Sequence, residues 1–123
     1  MTKAILSINT NKAMSYVLQS IMNEKFDVIV VDDIYSASEK LKKRLDIKTI
    51  IIDIDQSTGE AWDFIHHIKT SRFFYKPIIV LTSDKSKQTN IQAKEAKIKF
   101  LIHKPFTPSE ILNQINEIEH SEN

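Results

Sequence analysis

A chain of 123 residues has the length of one domain, residues 1–123, and can bury a core without covalent staples. Its 17 basic and 16 acidic residues give no support to an electrostatic nucleic-acid binder, and the lack of cysteine excludes disulfides and thiolate metal sites. No apolar stretch approaches the ~20 residues of a membrane span, and the run after Met1-Thr2-Lys3 is too short for a signal peptide, so a cytoplasmic protein is expected.

The apolar pattern alternates in type along the chain. Ala4–Ile8 is a short apolar run that reads as a strand. Lys12–Met22 places Met14, Val17, Leu18 and Ile21 at helical spacing. Phe26–Val31 is again apolar and ends in Asp32-Asp33, which reads as a cap for the helix that follows. Ser36–Leu45 carries Ala37, Leu41 and Leu45 on one helical face. Thr49–Ile54, with the unbroken run Ile50-Ile51-Ile52, reads as a strand buried on both faces. Gly59–Lys69 has Ala61, Trp62, Ile65 and Ile68 on one face, behind the capping signature Ser57-x-x-Glu60. Phe73-Phe74-Tyr75 is expected to pack under the sheet edge, and Pro77–Leu81 is a fourth strand. Ile91–Ala96 lies in a weaker, Lys-rich helical stretch, and Phe100–Ile102 is a fifth strand. Thr107-Pro108-x-Glu110 opens a last helix whose apolar face is Ile111, Leu112, Ile115 and Ile118; the polar tail from His120 is expected to fray.

Five strands alternating with five helices predict an α/β fold, a parallel sheet with helices on both faces. Right-handed crossovers bring the strands' carboxyl ends to one edge, where such sheets carry their sites. Gathered there are Asn9-Thr10-Asn11, Asp32-Asp33, Asp53-Ile54-Asp55, Thr82-Ser83-Asp84 and His103-Lys104-Pro105. Gly59 is the only glycine, so most turns rely on Asn, Asp, Ser and Lys.

Ile50-Ile51-Ile52-Asp53, Pro77-Ile78-Ile79-Val80-Leu81-Thr82 and His103-Lys104-Pro105-Phe106, in that order, resemble the response-regulator receiver domain of two-component phosphorelay signalling. The resemblance covers the whole chain. It implies a flavodoxin-like (βα)5, doubly wound, five-stranded parallel sheet of order 2-1-3-4-5. It implies a signalling module rather than an enzyme, with Asp53 as phosphoacceptor. A histidine kinase or phosphotransfer protein is the implied partner, and a homodimer through the fourth and fifth helices is a habit of the family. Neither a membrane nor a nucleic acid is an expected partner.

The chemistry fits the residue types. A carboxylate is a competent nucleophile for a phosphoryl group, and its transfer depends mostly on positioning and charge neutralisation. Lys104 and Thr82 match the groups that contact the phosphoryl oxygens, and movement of Thr82 toward them is the family's switch. Pro105 matches a cis Lys-Pro bond.

The departures from the family pattern are specific. An acidic pair that helps hold Mg²⁺ is replaced by Asn9, 44 residues before Asp53, and Thr10, and Asp32-Asp33 belongs to the next strand. Mg²⁺ binding is therefore doubtful, with Asp53 and Asp55 the acids left to hold the ion. Leu101 occupies the place of the switch aromatic, and Phe100 could serve only with a slipped register. Ser83 replaces a small residue.

These features predict an atypical receiver acting as an interaction module. One alternative is a working Asp53 phosphoacceptor with a rebuilt Mg²⁺ site. Another is a small-molecule-binding flavodoxin-like domain holding phosphate on the backbone of Asn9-Thr10-Asn11. His66-His67 on a helix do not face each other and predict no metal site, and Lys85–Lys99 reads as a solvated face.

Overall fold

The computed structural model describes residues 3–55, 58–71 and 75–121. Its strands are β1 (Lys3–Ile8), β2 (Phe26–Val31), β3 (Ile47–Asp53), β4 (Ile78–Thr82) and β5 (Phe100–His103). Its helices are α1 (Lys12–Met22), α2 (Ile34–Lys43), α3 (Thr58–Thr70), α4 (Lys87–Glu95) and α5 (Pro108–Ser121). The strands form one parallel sheet in the order β2-β1-β3-β4-β5, the order the sequence resemblance implies.

Side chains alternate across each strand, so the apolar run in β3 serves two cores. Ile50 and Ile52 join Leu6, Ile8, Ile78 and Val80 on the face covered by α2, α3 and α4. Ile51 joins Ile5, Ile79, Leu81 and Ile102 on the other face, under Leu18 and Met22 of α1 and Ile111, Ile115 and Ile118 of α5. Each fully buried Ile contributes roughly 1.5–3 kcal/mol by leaving water.

Caps set where the helices begin. The Asn11 side chain accepts from Met14 N at 3.0 Å, and Asp33 accepts from Ser36 N at 2.7 Å, the capping role expected for the Asp32-Asp33 pair. Ser86 starts α4 by accepting from Thr89 N at 3.3 Å. At α5 the capping box closes both ways: Glu110 N donates to Thr107 Oγ1 at 3.3 Å, and Thr107 N to Glu110 Oε1 at 3.2 Å. The cap predicted at Ser57 lies outside the described residues, as do Phe73 and Phe74.

The structure corrects several expectations. Leu45 is 83% exposed rather than part of a helix face, because α2 ends at Lys43 and Arg44 turns extended. The Arg44 guanidinium holds that turn by donating to Asp46 at 2.6 and 2.9 Å and to Asp27 at 2.9 Å. Val17 of α1 is also exposed. α4 lies within the Lys85–Lys99 stretch read as a solvated face, but it buries Thr89 and Ala93 and leaves Ile91 in solvent. Tyr75 is exposed, its ring 5.1 Å from the Lys69 ammonium, and does not lie under the sheet edge. Of the tail expected to fray, His120 and Ser121 are helical and residues 122–123 lie outside the described residues. Among the described residues no helix is long and apolar enough to cross a membrane.

Candidate functional site

Parallel pairing sets the site. Asp53 of β3 lies opposite Leu81, and Thr82 of β4 lies opposite His103. Ile54 N donates to Leu81 O at 3.1 Å and Lys104 N to Thr82 O at 2.9 Å, which extends the ladder past the strand ends. Asp53, Thr82 and Lys104 therefore meet at one edge, as the sequence predicts. The Lys104–Pro105 peptide is cis.

Asp53 is almost fully enclosed, its side chain 3% exposed. One oxygen, Oδ1, accepts from Asp55 N at 3.0 Å. The other, Oδ2, accepts from the Asn9 amide at 3.3 Å and pairs with the Lys104 ammonium. Asn9 is buried and its orientation is fixed from both ends: its oxygen accepts from Asn11 N at 2.8 Å while its N–H₂ faces the carboxylate. The reverse orientation would set oxygen against oxygen and N–H against N–H. Where the family pattern has acids, this chain presents Asp53 with a hydrogen-bond donor. Thr10 is exposed and lines a cavity of about 170 Å³ together with Asn9, Asp32, Asp33, Asp53 and Glu60.

Asp55 enters the site by a route the sequence reading missed. It was expected beside Asp53 as a metal ligand. Instead its carboxylate turns toward β4 and β5 and collects the protein's own donors. Thr82 Oγ1 donates to Asp55 Oδ1 at 2.6 Å. Ser83 gives its backbone N–H at 3.0 Å and its hydroxyl at 2.9 Å to Oδ2. Lys104 Nζ donates to the same oxygen at 2.9 Å. Partial burial disfavours the charge, but the bonds from Thr82, Lys104 and Ser83 outweigh it and hold the carboxyl down to about 2. Burial likewise works against the Lys104 ammonium, and its two carboxylate partners still raise its pKa above the ordinary lysine value. The sign of Ser83's importance was present in the sequence, as a hydroxyl in place of a small residue, but its target was not.

From Thr82 the bonding runs on to α4. The Thr82 oxygen accepts from Asp84 N at 3.0 Å. The Asp84 carboxylate accepts from Ser86 N at 2.8 Å and from the Thr89 hydroxyl at 2.8 Å, at the start of the helix. Leu101 is half-buried on the α2–α4 face, whereas Phe100 packs on the opposite face with α5. In this register, Leu101 opposite Val80, Phe100 does not take the aromatic's place.

The other candidates stay apart from this cluster. His66 and His67 are exposed on α3, and His103 has a buried Nε2 without a partner among the described residues. The backbone N–H groups of Asn9 and Asn11, considered for phosphate binding, are already bonded to Val31 O and to Asn9 Oδ1. Among the described residues no three His, Cys, Asp or Glu side chains are grouped to hold a metal ion.

Comparison with known proteins identifies the family and the fold. Residues 5–116 match the response regulator receiver domain. The chemotaxis protein CheY1 of Helicobacter pylori is 30% identical over 93 residues, 75% of each chain. A two-component response regulator from Clostridium difficile superposes with a TM-score of 0.87 at 20% identity, over 99% of each chain. A CheY-like receiver domain protein from Methanospirillum hungatei gives 0.86 at 19% identity, over 99% of this chain and 98% of its own. This chain belongs to the response regulator receiver domain family of two-component signalling. Receiver domains are generally signalling modules rather than enzymes, interact with histidine kinases or phosphotransfer proteins, and typically bind Mg²⁺ at an acidic pocket.

Proposed function

We propose that this receiver domain is an interaction module of a two-component circuit whose output does not depend on phosphorylation of Asp53. The observation that carries the reading is the Asn9 amide donating to Asp53 Oδ2. A hard divalent cation needs oxygen ligands, and one or two carboxylates usually anchor Mg²⁺. Here the nearest oxygen of Asn9 is committed to Asn11 N, and Lys104 supplies the positive charge at Asp53. Asp55, two residues on, is saturated by Thr82, Ser83 and Lys104, and Asp32, Asp33 and Glu60 of the adjoining cavity are not grouped with Asp53 to hold an ion among the described residues. The residues present do not fit Mg²⁺, and without charge neutralisation the attack of Asp53 on a phosphodonor loses most of its assistance. The partner is a protein of the same circuit, a histidine kinase or phosphotransfer protein, and residues 1–123 act as one unit.

The test is incubation with acetyl phosphate and Mg²⁺ followed by intact-mass measurement. No adduct is expected on the wild-type chain. A stoichiometric, base-labile phosphoryl adduct on Asp53 would overturn the reading. The double variant Asn9→Asp with Thr10→Asp is expected to gain Mg²⁺ binding in the millimolar range, read by isothermal titration.

A further inference from the structure

We propose that Asp55 is a built-in anion: its carboxylate occupies the donor set of Thr82, Ser83 and Lys104 and thereby fixes the start of α4 without any external group. The inference deepens the reading of the same site given above and rests on it for the identity of the domain.

Three features of the geometry carry it. First, the donors converge. A hydroxyl, a backbone N–H, a second hydroxyl and an ammonium come from two different strand ends and meet on one carboxylate. Such a set, with charge-assisted bonds of 2.6 to 3.0 Å, is the kind that recognises the oxygens of an anion. Second, both Asp55 oxygens are used, so no ligand is needed to satisfy these donors. Third, the bonding does not stop at the anion. The Thr82 hydroxyl hydrogen is spent on Asp55, which leaves the oxygen's lone pairs for Asp84 N. Asp84 in turn holds Ser86 N and the Thr89 hydroxyl. Asp55 thus fixes the hydroxyl rotor from which the α4 start is hung.

Two consequences follow. An external oxyanion meets donors already taken, next to two carboxylates, and binds weakly. The α4 surface, with Ile91 exposed, is held in one arrangement whatever the state of Asp53.

The experiment uses the Asp55→Ala variant and inorganic phosphate alone, with no metal, followed by backbone amide NMR of the whole chain. In the variant the Ser83, Ser86 and Thr89 amides are expected to leave their wild-type positions. Phosphate is expected to return them toward those positions along a saturable curve. The wild-type chain is expected to bind phosphate at least tenfold more weakly, about 1.4 kcal/mol. Asp32→Ala removes one negative charge from the same sheet edge without touching the donors, and is expected to behave as wild type. The proposal is overturned if Ser86 and Thr89 do not respond to loss of Asp55. It is also overturned if phosphate does not restore them, or if the wild type or Asp32→Ala binds phosphate as well as the variant does. Should Asp55→Ala fail to fold, Asp55→Asn keeps the shape, removes the charge and is read by the same amides. A phosphoryl adduct on wild-type Asp53 with these amides unmoved would remove the phosphorylation-independent function and leave the built-in anion standing.

Discussion

Asp55 ties charge to stability at a single residue. Its carboxyl sits at about 2 in the folded chain against 3.8 for the ordinary side chain. Because the folded value is the lower one, its stabilisation is complete above the unfolded value and disappears as pH falls through the folded one. We expect on the order of 1–2 kcal/mol from this group near neutrality, after allowance for solvent screening. The difference in unfolding free energy between wild type and Asp55→Asn should therefore shrink as pH drops from ~5 to ~2, measured by urea denaturation at each pH. Lys104→Ala removes the cation that Asp53 and Asp55 share. It is expected to cost about 2 kcal/mol and to raise the Asp55 carboxyl toward the ordinary range, read by carboxylate carbon NMR. The sequence made Asp53, Thr82 and Lys104 legible because they end strands in a fixed order. It did not disclose where Asp55 points, since a residue two past a strand end takes its direction from loop geometry. Nor did it show that Asn9 would turn its N–H₂ rather than its oxygen to Asp53, a choice made by Asn11 N.

At the scale of elements, termini decide the boundaries. Thr107 and Glu110 each satisfy a group of the other at the head of α5. Thr107→Ala should lower stability by about 1 kcal/mol in a denaturation series. Gly59 sits in the first turn of α3, where an added Cβ would meet no atom of the described residues within 4 Å. Gly59→Ala should act in the opposite sense, by about 0.5–1 kcal/mol, in the same series. The capping signals of α5 and the Asp32-Asp33 turn were legible because a cap is a local interaction. The end of α2 was not, because helical spacing alone carries Leu45 into the apolar face. What removes it is a tertiary fact, the Arg44 guanidinium reaching across to Asp27 on β2. α4 lies inside the Lys85–Lys99 stretch that reads as a solvated face, and its buried side is hidden in the sequence because Thr89 and Ala93 do not announce an apolar face.

Over the whole molecule the sheet is protected unequally. β1, β3 and β4 are internal strands and nearly all of their residues beyond the first are buried, whereas β2 is an edge strand with four half-buried positions. Native-state hydrogen exchange should be slowest at the amides of Ile5–Ile8, Ile50–Ile52 and Ile79–Leu81 and faster along β2 and β5. The two cores also differ in what they contain. Trp62, the chain's one tryptophan, lies on the α2–α4 face with an indole N–H that finds no partner among the described residues, and the α1–α5 face has no tryptophan. The protein therefore carries a one-sided optical label. Emission from that indole should be blue-shifted in the folded state and should respond to loosening of α3 or of the loop that delivers Asp55. Loosening confined to α1 or α5 should leave it dark to the observer, so a fluorescence trace that moves while far-ultraviolet dichroism stays constant localises the event to one side of the sheet.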